Sequence, residues 1–187
     1  MAKAKKNSQK GLIVSVVVLA LAVLTVCTLF MPLIKTAVIA LGKETVAISA
    51  KGWDCITAAF NSEASLDFSE GANYLIGLKA AEEGGFIATM MIWTYLLTVV
   101  VAAATAVFAV LGLLGMRFKL VNTVLGAALV VLAILAFVFV LVCASKNTAL
   151  TEALGKESGE KTSALIAAFL MFAGVVAGGL QAYKARS

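Results

Sequence analysis

The chain contains no histidine, a single proline and three cysteines, and only 13% of its 187 residues are charged. Without histidine it lacks both the usual proton shuttle and the commonest metal ligand. The cysteines, Cys27, Cys55 and Cys143, form no pair with metal-ligand spacing. Soluble domains carry roughly twice this share of charge. Apolar residues take its place: 62% are hydrophobic and the mean hydropathy is +1.04. The composition is that of a membrane protein, and the length leaves room for one domain, 1–187.

Four stretches hold no Asp, Glu, Lys or Arg: 11–34, 86–114, 120–144 and 162–180, of 24, 29, 25 and 19 residues. A spanning helix needs about 20 apolar residues, so each qualifies. Helices are the expected form, because lipid offers backbone groups no other partner. An ionisable side chain inside a span is costly and is usually kept for transport or proton relay. Its absence argues against a pump, an ion-coupled transporter or a charge-selective pore, and no acid at depth leaves an intramembrane enzyme without its parts.

Charge sets the orientation. The N-terminal segment carries Lys3, Lys5, Lys6 and Lys10, the turn after the second span Arg117 and Lys119, and the C-terminal segment Lys184 and Arg186. These three segments hold eight bases and no acid, whereas the remaining segments hold ten acids and seven lysines. The positive-inside rule places the termini in the cytoplasm and the loops 35–85 and 145–161 outside, in a cell membrane. The first apolar run exceeds the 7–15 residues of a signal-peptide core and lacks a small-residue cleavage site, so it is read as a retained span. The basic N-terminal run suits anionic lipid heads as well as topology.

The first outer loop alternates structure signals. The runs 33–40 and 44–50 are rich in β-branched residues and flank Leu41-Gly42-Lys43, which predicts a β-hairpin; a continuation of the first helix is the competing reading. Gly52-Trp53-Asp54-Cys55 follows, then the short apolar run 56–60 and a polar stretch, 61–71. A helix is predicted over 72–83, stopped by Gly84-Gly85. The second outer loop reads as a small solvated connection. The expected fold is therefore an all-α membrane protein, a four-helix transmembrane bundle with a cap of β-hairpin and short helix.

Candidate interaction residues are few. Trp53 is expected to anchor the cap, on the hairpin or at the membrane interface. Cys55 has one plausible disulfide partner, Cys143; the alternative is that Cys27 and Cys143 are small packing residues. Gly174 and Gly178 form a GxxxG in the fourth span, which either packs within the bundle or faces another molecule. The outer acids show no ligand spacing for calcium and read as solvated charge. No catalytic, cofactor-binding or metal residue and no nucleic-acid motif is apparent.

Pro32-Leu33-Ile34-Lys35 after the first span, Gly52-Trp53-Asp54-Cys55 at the end of the hairpin and Gly115-Met116-Arg117 after the second span together resemble the claudin and peripheral-myelin-protein superfamily. Those proteins have four spans, cytoplasmic termini, a first outer loop of strands ending in a helix, and a small second loop. The second loop cysteine of that family is missing here, and with it the family's loop disulfide. Small bacterial four-span proteins share the same layout. The resemblance implies a non-enzymatic protein that works by lateral or extracellular protein interactions, with the bilayer, other copies or another membrane protein as partners. The alternative is an accessory subunit of a larger membrane transport or secretion complex.

The topology can be tested by labelling single cysteines in an otherwise cysteine-free chain. Ser65→Cys and Ser158→Cys should react from outside intact cells, and Ser8→Cys and Ser187→Cys only after lysis. Reaction of Ser8→Cys in intact cells would invert the model.

Overall fold

The computed structural model describes residues 2–40, 43–61, 71–81, 84–116, 118–153 and 158–186. The Leu41-Gly42 turn, the polar run 62–70, the Glu82-Glu83 pair and Arg117 lie outside the described residues. In chain order the elements are α1 (Ala2–Cys27), a 3-10 turn (Thr28–Phe30), β1 (Pro32–Ala40), β2 (Lys43–Lys51), α2 (Gly52–Phe60), α3 (Gly71–Ala80), α4 (Gly85–Leu113), α5 (Lys119–Ala153), β3 (Ser158–Ala164) and α6 (Ile166–Arg186).

Among the described residues, four helices are long and apolar enough to cross a membrane: Gly11–Phe30, Gly85–Leu113, Lys119–Ser145 and Ile166–Lys184. Their bounds follow the charge-free runs closely, with three local differences. The first ends near Phe30, because the chain turns into β1 at Pro32, where a helix interior would lose a hydrogen bond. The fourth begins at Ile166 rather than Thr162, because 158–164 is a strand. Helix α5 runs on to Ala153, since nothing between Lys146 and Ala153 is a glycine or proline that would stop it. Its 35 residues are about 50 Å long, well beyond the ~30 Å hydrocarbon core.

The chain forms two compact units. The helical unit comprises 1–27, 97–134 and 170–187. Each of its helices buries one stripe at three- and four-residue spacing: Ser15, Val18, Ala22 and Thr25 on α1, Ala102, Thr105 and Ala109 on α4, Gly126, Leu129 and Ala133 on α5, and Gly174, Ala177, Gly178 and Gln181 on α6. The buried residues are mostly small, while Leu12, Ile13, Val100, Val107, Val124 and Val131 are exposed. A water-soluble bundle would reverse this; lipid rewards close backbone approach more than apolar burial. Ala102, Leu129 and Ala177 make the central layer, with Leu21, Val26 and Val101 against it.

The tightest approach joins α5 and α6. A Cβ on Gly178 would lie 2.5 Å from the Gly126 carbonyl oxygen, and one on Gly126 would lie 2.5 Å from that of Gly178. Neither position has space for a methyl group. Gly174, one turn away, faces Thr25 of α1 and Ala133 of α5, at 3.3 and 3.5 Å from a Cβ. Both glycines of the GxxxG thus face helices of their own chain. Helix α4 ends by a different use of glycine. Gly115 takes φ +89°, and the Met116 and Gly115 amides donate to the carbonyls of Leu111 and Gly112, a Schellman stop.

The strand-bearing unit comprises 28–96 and 135–169. Its sheet has the order β2-β1-β3, antiparallel throughout. The hairpin of β1 and β2 is present as predicted. The second outer loop is not a plain solvated connection: it supplies β3, which pairs along β1 from Ile34↔Ala164 to Ala40↔Ser158. A register shift between Pro32 and Ile34 makes Leu33 the extra residue of a bulge. The bulge explains why Leu33 and Ile34 are both fully buried, although neighbours on a regular strand face opposite ways. The core of this unit is Leu33, Ile34, Leu75, Ile76, Met91, Ile92 and Tyr95, with the Tyr95 hydroxyl 3.1 Å from that of Thr28.

Replacing Gly178 by leucine should cost at least the ~1–3 kcal/mol of core overpacking, because backbone rather than a flexible side chain stands in the way. Gly179, with nothing within 4 Å of a Cβ, provides the control, and Gly179→Leu should change stability by less than about 0.5 kcal/mol. Thermal unfolding of both in detergent gives the comparison, and equal melting temperatures would refute the close approach.

Candidate functional site

The Gly52-Trp53-Asp54-Cys55 motif opens α2, and each residue has its own environment. Gly52 sits where α2 meets the 3-10 turn. Its amide donates to the Met31 carbonyl at 3.2 Å, and a Cβ would collide with the Tyr95 hydroxyl and lie 2.7 Å from the Leu29 Cα. Asp54 accepts a 2.7 Å hydrogen bond from the Lys51 amide and places its charge in the first turn of α2, where the helix dipole favours it. The other end of α2 is closed by Lys79 of α3, whose ammonium donates to the Ala58 and Asn61 carbonyls at 2.7 Å each. Short-run periodicity left 56–60 without a helix assignment. The missed signal is the Asp54 cap at its start.

Cys55 is fully buried. Burial pushes its thiol well above the ordinary range, and the neighbouring Asp54 carboxylate and Cys143 push the same way. A thiol held neutral is a poor nucleophile and a poor metal ligand. All three cysteines are free thiols, with Cys143 buried and Cys27 partly so. The structure therefore brings Cys55 near Cys143 without a bond between them. Among the described residues, no three His, Cys, Asp or Glu side chains gather to hold a metal ion.

Trp53 is 53% exposed and stacks on Phe30, with centroids 6.4 Å apart and planes 13° from parallel. The burial at this corner belongs to Gly52 and Cys55, and the tryptophan ring stands outside the core. A second exposed pair, Phe60 and Trp93, meets edge to face at 5.9 Å. The motif's small and acidic residues therefore serve the fold, while its aromatic residue is displayed. Gly174 and Gly178 belong to the helical unit.

No protein-family model matches the chain, and no curated protein or solved structure matches it either.

Two measurements follow from this geometry. Gly52→Ala should destabilise the protein by about 1–3 kcal/mol, since its Cβ meets backbone. Cys55 should resist maleimide at pH 8 in the folded state and react once the protein is denatured. Rapid labelling of native Cys55 would show a thiol that is neither buried nor held protonated.

Proposed function

We propose that this chain is a non-enzymatic multi-pass protein of the cell membrane that acts by associating with other copies of itself or with another membrane protein. In this reading the termini lie in the cytoplasm and the loops 35–85 and 145–161 lie outside, as the eight bases against no acid of the terminal and turn segments favour. The claudin-like layout belongs to the same proposal: β1 and β2 follow the first span, and a short helix precedes the second.

The observation that carries the reading is the sheet. β1 is paired on both sides, whereas β2 and β3 are its edge strands. An edge strand presents unpaired backbone groups along its outer side, and adding a partner strand there is a recurrent mode of protein recognition. Exposed Phe30, Trp53, Phe60 and Trp93 suit the membrane–water boundary, where amphipathic aromatic rings hold such a unit at a fixed height. The buried, protonated Cys55 supplies no competing chemistry.

Purification in mild detergent tests this directly. Self-association predicts a detergent-corrected mass of at least two 19.3 kDa protomers by light scattering. Service as an accessory subunit predicts instead a single protomer that co-purifies from native membranes with one larger protein. A lone protomer that retains no partner would overturn both readings.

A further inference from the structure

Helix α2 has two faces. Gly52, Cys55 and Ala58, spaced three residues apart, are buried. Trp53, Ile56 and Phe60 recur at i, i+3 and i+7 along another side. Trp53 is exposed, Phe60 is 73% exposed, and Ile56 between them is half-buried. The only charged residue within α2 is Asp54, whose carboxylate is taken up by the Lys51 amide. A helix on the surface of a water-soluble cap turns polar side chains to solvent on its outer side. This one turns out two large aromatic rings and an isoleucine.

Both rings are joined to residues of the apolar helices. Trp53 stacks on Phe30, the last residue of the first apolar helix, Gly11–Phe30. Phe60 meets Trp93 edge to face, and Trp93 lies eight residues into Gly85–Leu113, about 12 Å along that helix. Phe86, seven residues before Trp93 on the same stripe of α4, is exposed as well. The exposed face of α2 is therefore continuous at both ends with helices that a bilayer surrounds. Whatever medium reaches Phe30 and Trp93 also reaches Trp53 and Phe60. The last turn of α2 agrees, because an unpaired carbonyl is costly away from bulk water. The Ala58 and Asn61 carbonyls accept from the Lys79 ammonium, and the Thr57 carbonyl accepts from the Asn61 amide. A lysine on its flexible stem suits the headgroup level.

We propose that α2 is an in-plane membrane helix, its Trp53–Ile56–Phe60 face set in the headgroup and acyl-chain boundary of the leaflet at the Phe30 end of the first span. The occupant of this face is lipid and not a partner protein. Amphipathic helices of this kind bury their apolar side about 5–10 Å into that boundary, a depth that tryptophan favours. The segment between the first two spans is then tied to the bilayer by α2 as well as at its two ends, and association has to use other surfaces, such as the sheet edges. The inference does not depend on the proposed association; it rests on the four apolar helices crossing a bilayer.

The chain has two tryptophans, Trp53 and Trp93, so each can report alone. The full chain is reconstituted in phosphatidylcholine vesicles, either plain or brominated on the acyl chains near the glycerol, bromine being a contact quencher. In Trp93→Phe, the remaining Trp53 should lose about half its emission or more in the brominated lipid, as a ring set in the boundary does. Aqueous iodide should quench it less. In Trp53→Phe, the remaining Trp93 should also be quenched by the brominated lipid, which marks the span. Trp53 quenched by iodide and not by bromine would place its ring in water, and Trp53 quenched by neither would place it under protein. Either result, with Trp93 still quenched by bromine, overturns the proposal and leaves the four spans standing. Failure of bromine to reach Trp93 as well as Trp53 would overturn the spans and the proposal together.

Discussion

The close approach of α5 and α6 at Gly126 and Gly178 is the contact on which the helical unit depends. In water a bundle is held by burying large apolar side chains; in lipid that gain is absent, because the tails are as apolar as leucine. What remains is packing at short range and the hydrogen bonds that short range permits. The reciprocal 2.5 Å approach of each glycine's missing Cβ to the other's carbonyl is therefore an energetic feature, not only a steric one. It also determines what surrounds it. Once α5 and α6 touch backbone to backbone, the alanines at 102, 133 and 177 fit and large side chains do not, so valines and leucines turn outward. Among the described residues, one buried polar atom on each of Thr105, Asn122 and Gln181 is left without a hydrogen-bond partner.

The strand-bearing unit obeys different rules, because its elements are too short to stand alone. α2 has nine residues and α3 ten, below the length at which isolated helices persist. They depend on tertiary ties: Asp54 at the start of α2, Lys79 across its end, and Gly52 against the turn that leaves α1. The sheet depends on β1 in the same way. β3 carries only one β-branched residue, Thr162, in its sequence Ser-Gly-Glu-Lys-Thr-Ser-Ala, so pairing with β1 rather than local preference makes it a strand.

This division explains what could be read from the residues alone. The four apolar helices were legible because a run without charge is a long, one-dimensional signal. The hairpin was legible because Val38, Ile39, Val46 and Ile48 flank a glycine turn. The strand β3 was not, because its evidence lies more than a hundred residues away in β1, and Gly159 and Lys161 argue locally for a loop. Helix α2 was missed because nine residues show barely two turns of periodicity. For the candidate residues, spacing located Gly174 and Gly178 on one helix face but could not say which molecule they meet. Nor could it say that Trp53 would be displayed while Cys55 was enclosed. The orphaned Gln181 was invisible for a simpler reason: a single glutamine near a helix end looks solvated until its neighbours are known.

The claim that the glycine face of α6 is occupied by its own chain is open to one direct measurement. In a chain with its three cysteines replaced, Thr25→Cys and Gly174→Cys combined should oxidise to a disulfide, because a Cβ at 174 lies 3.3 Å from the Thr25 side chain. On a non-reducing gel the account predicts complete oxidation within the 19.3 kDa monomer and no cross-linked dimer. A dimer band in membranes, or thiols that stay free under oxidant, would show that this face meets another molecule or lipid.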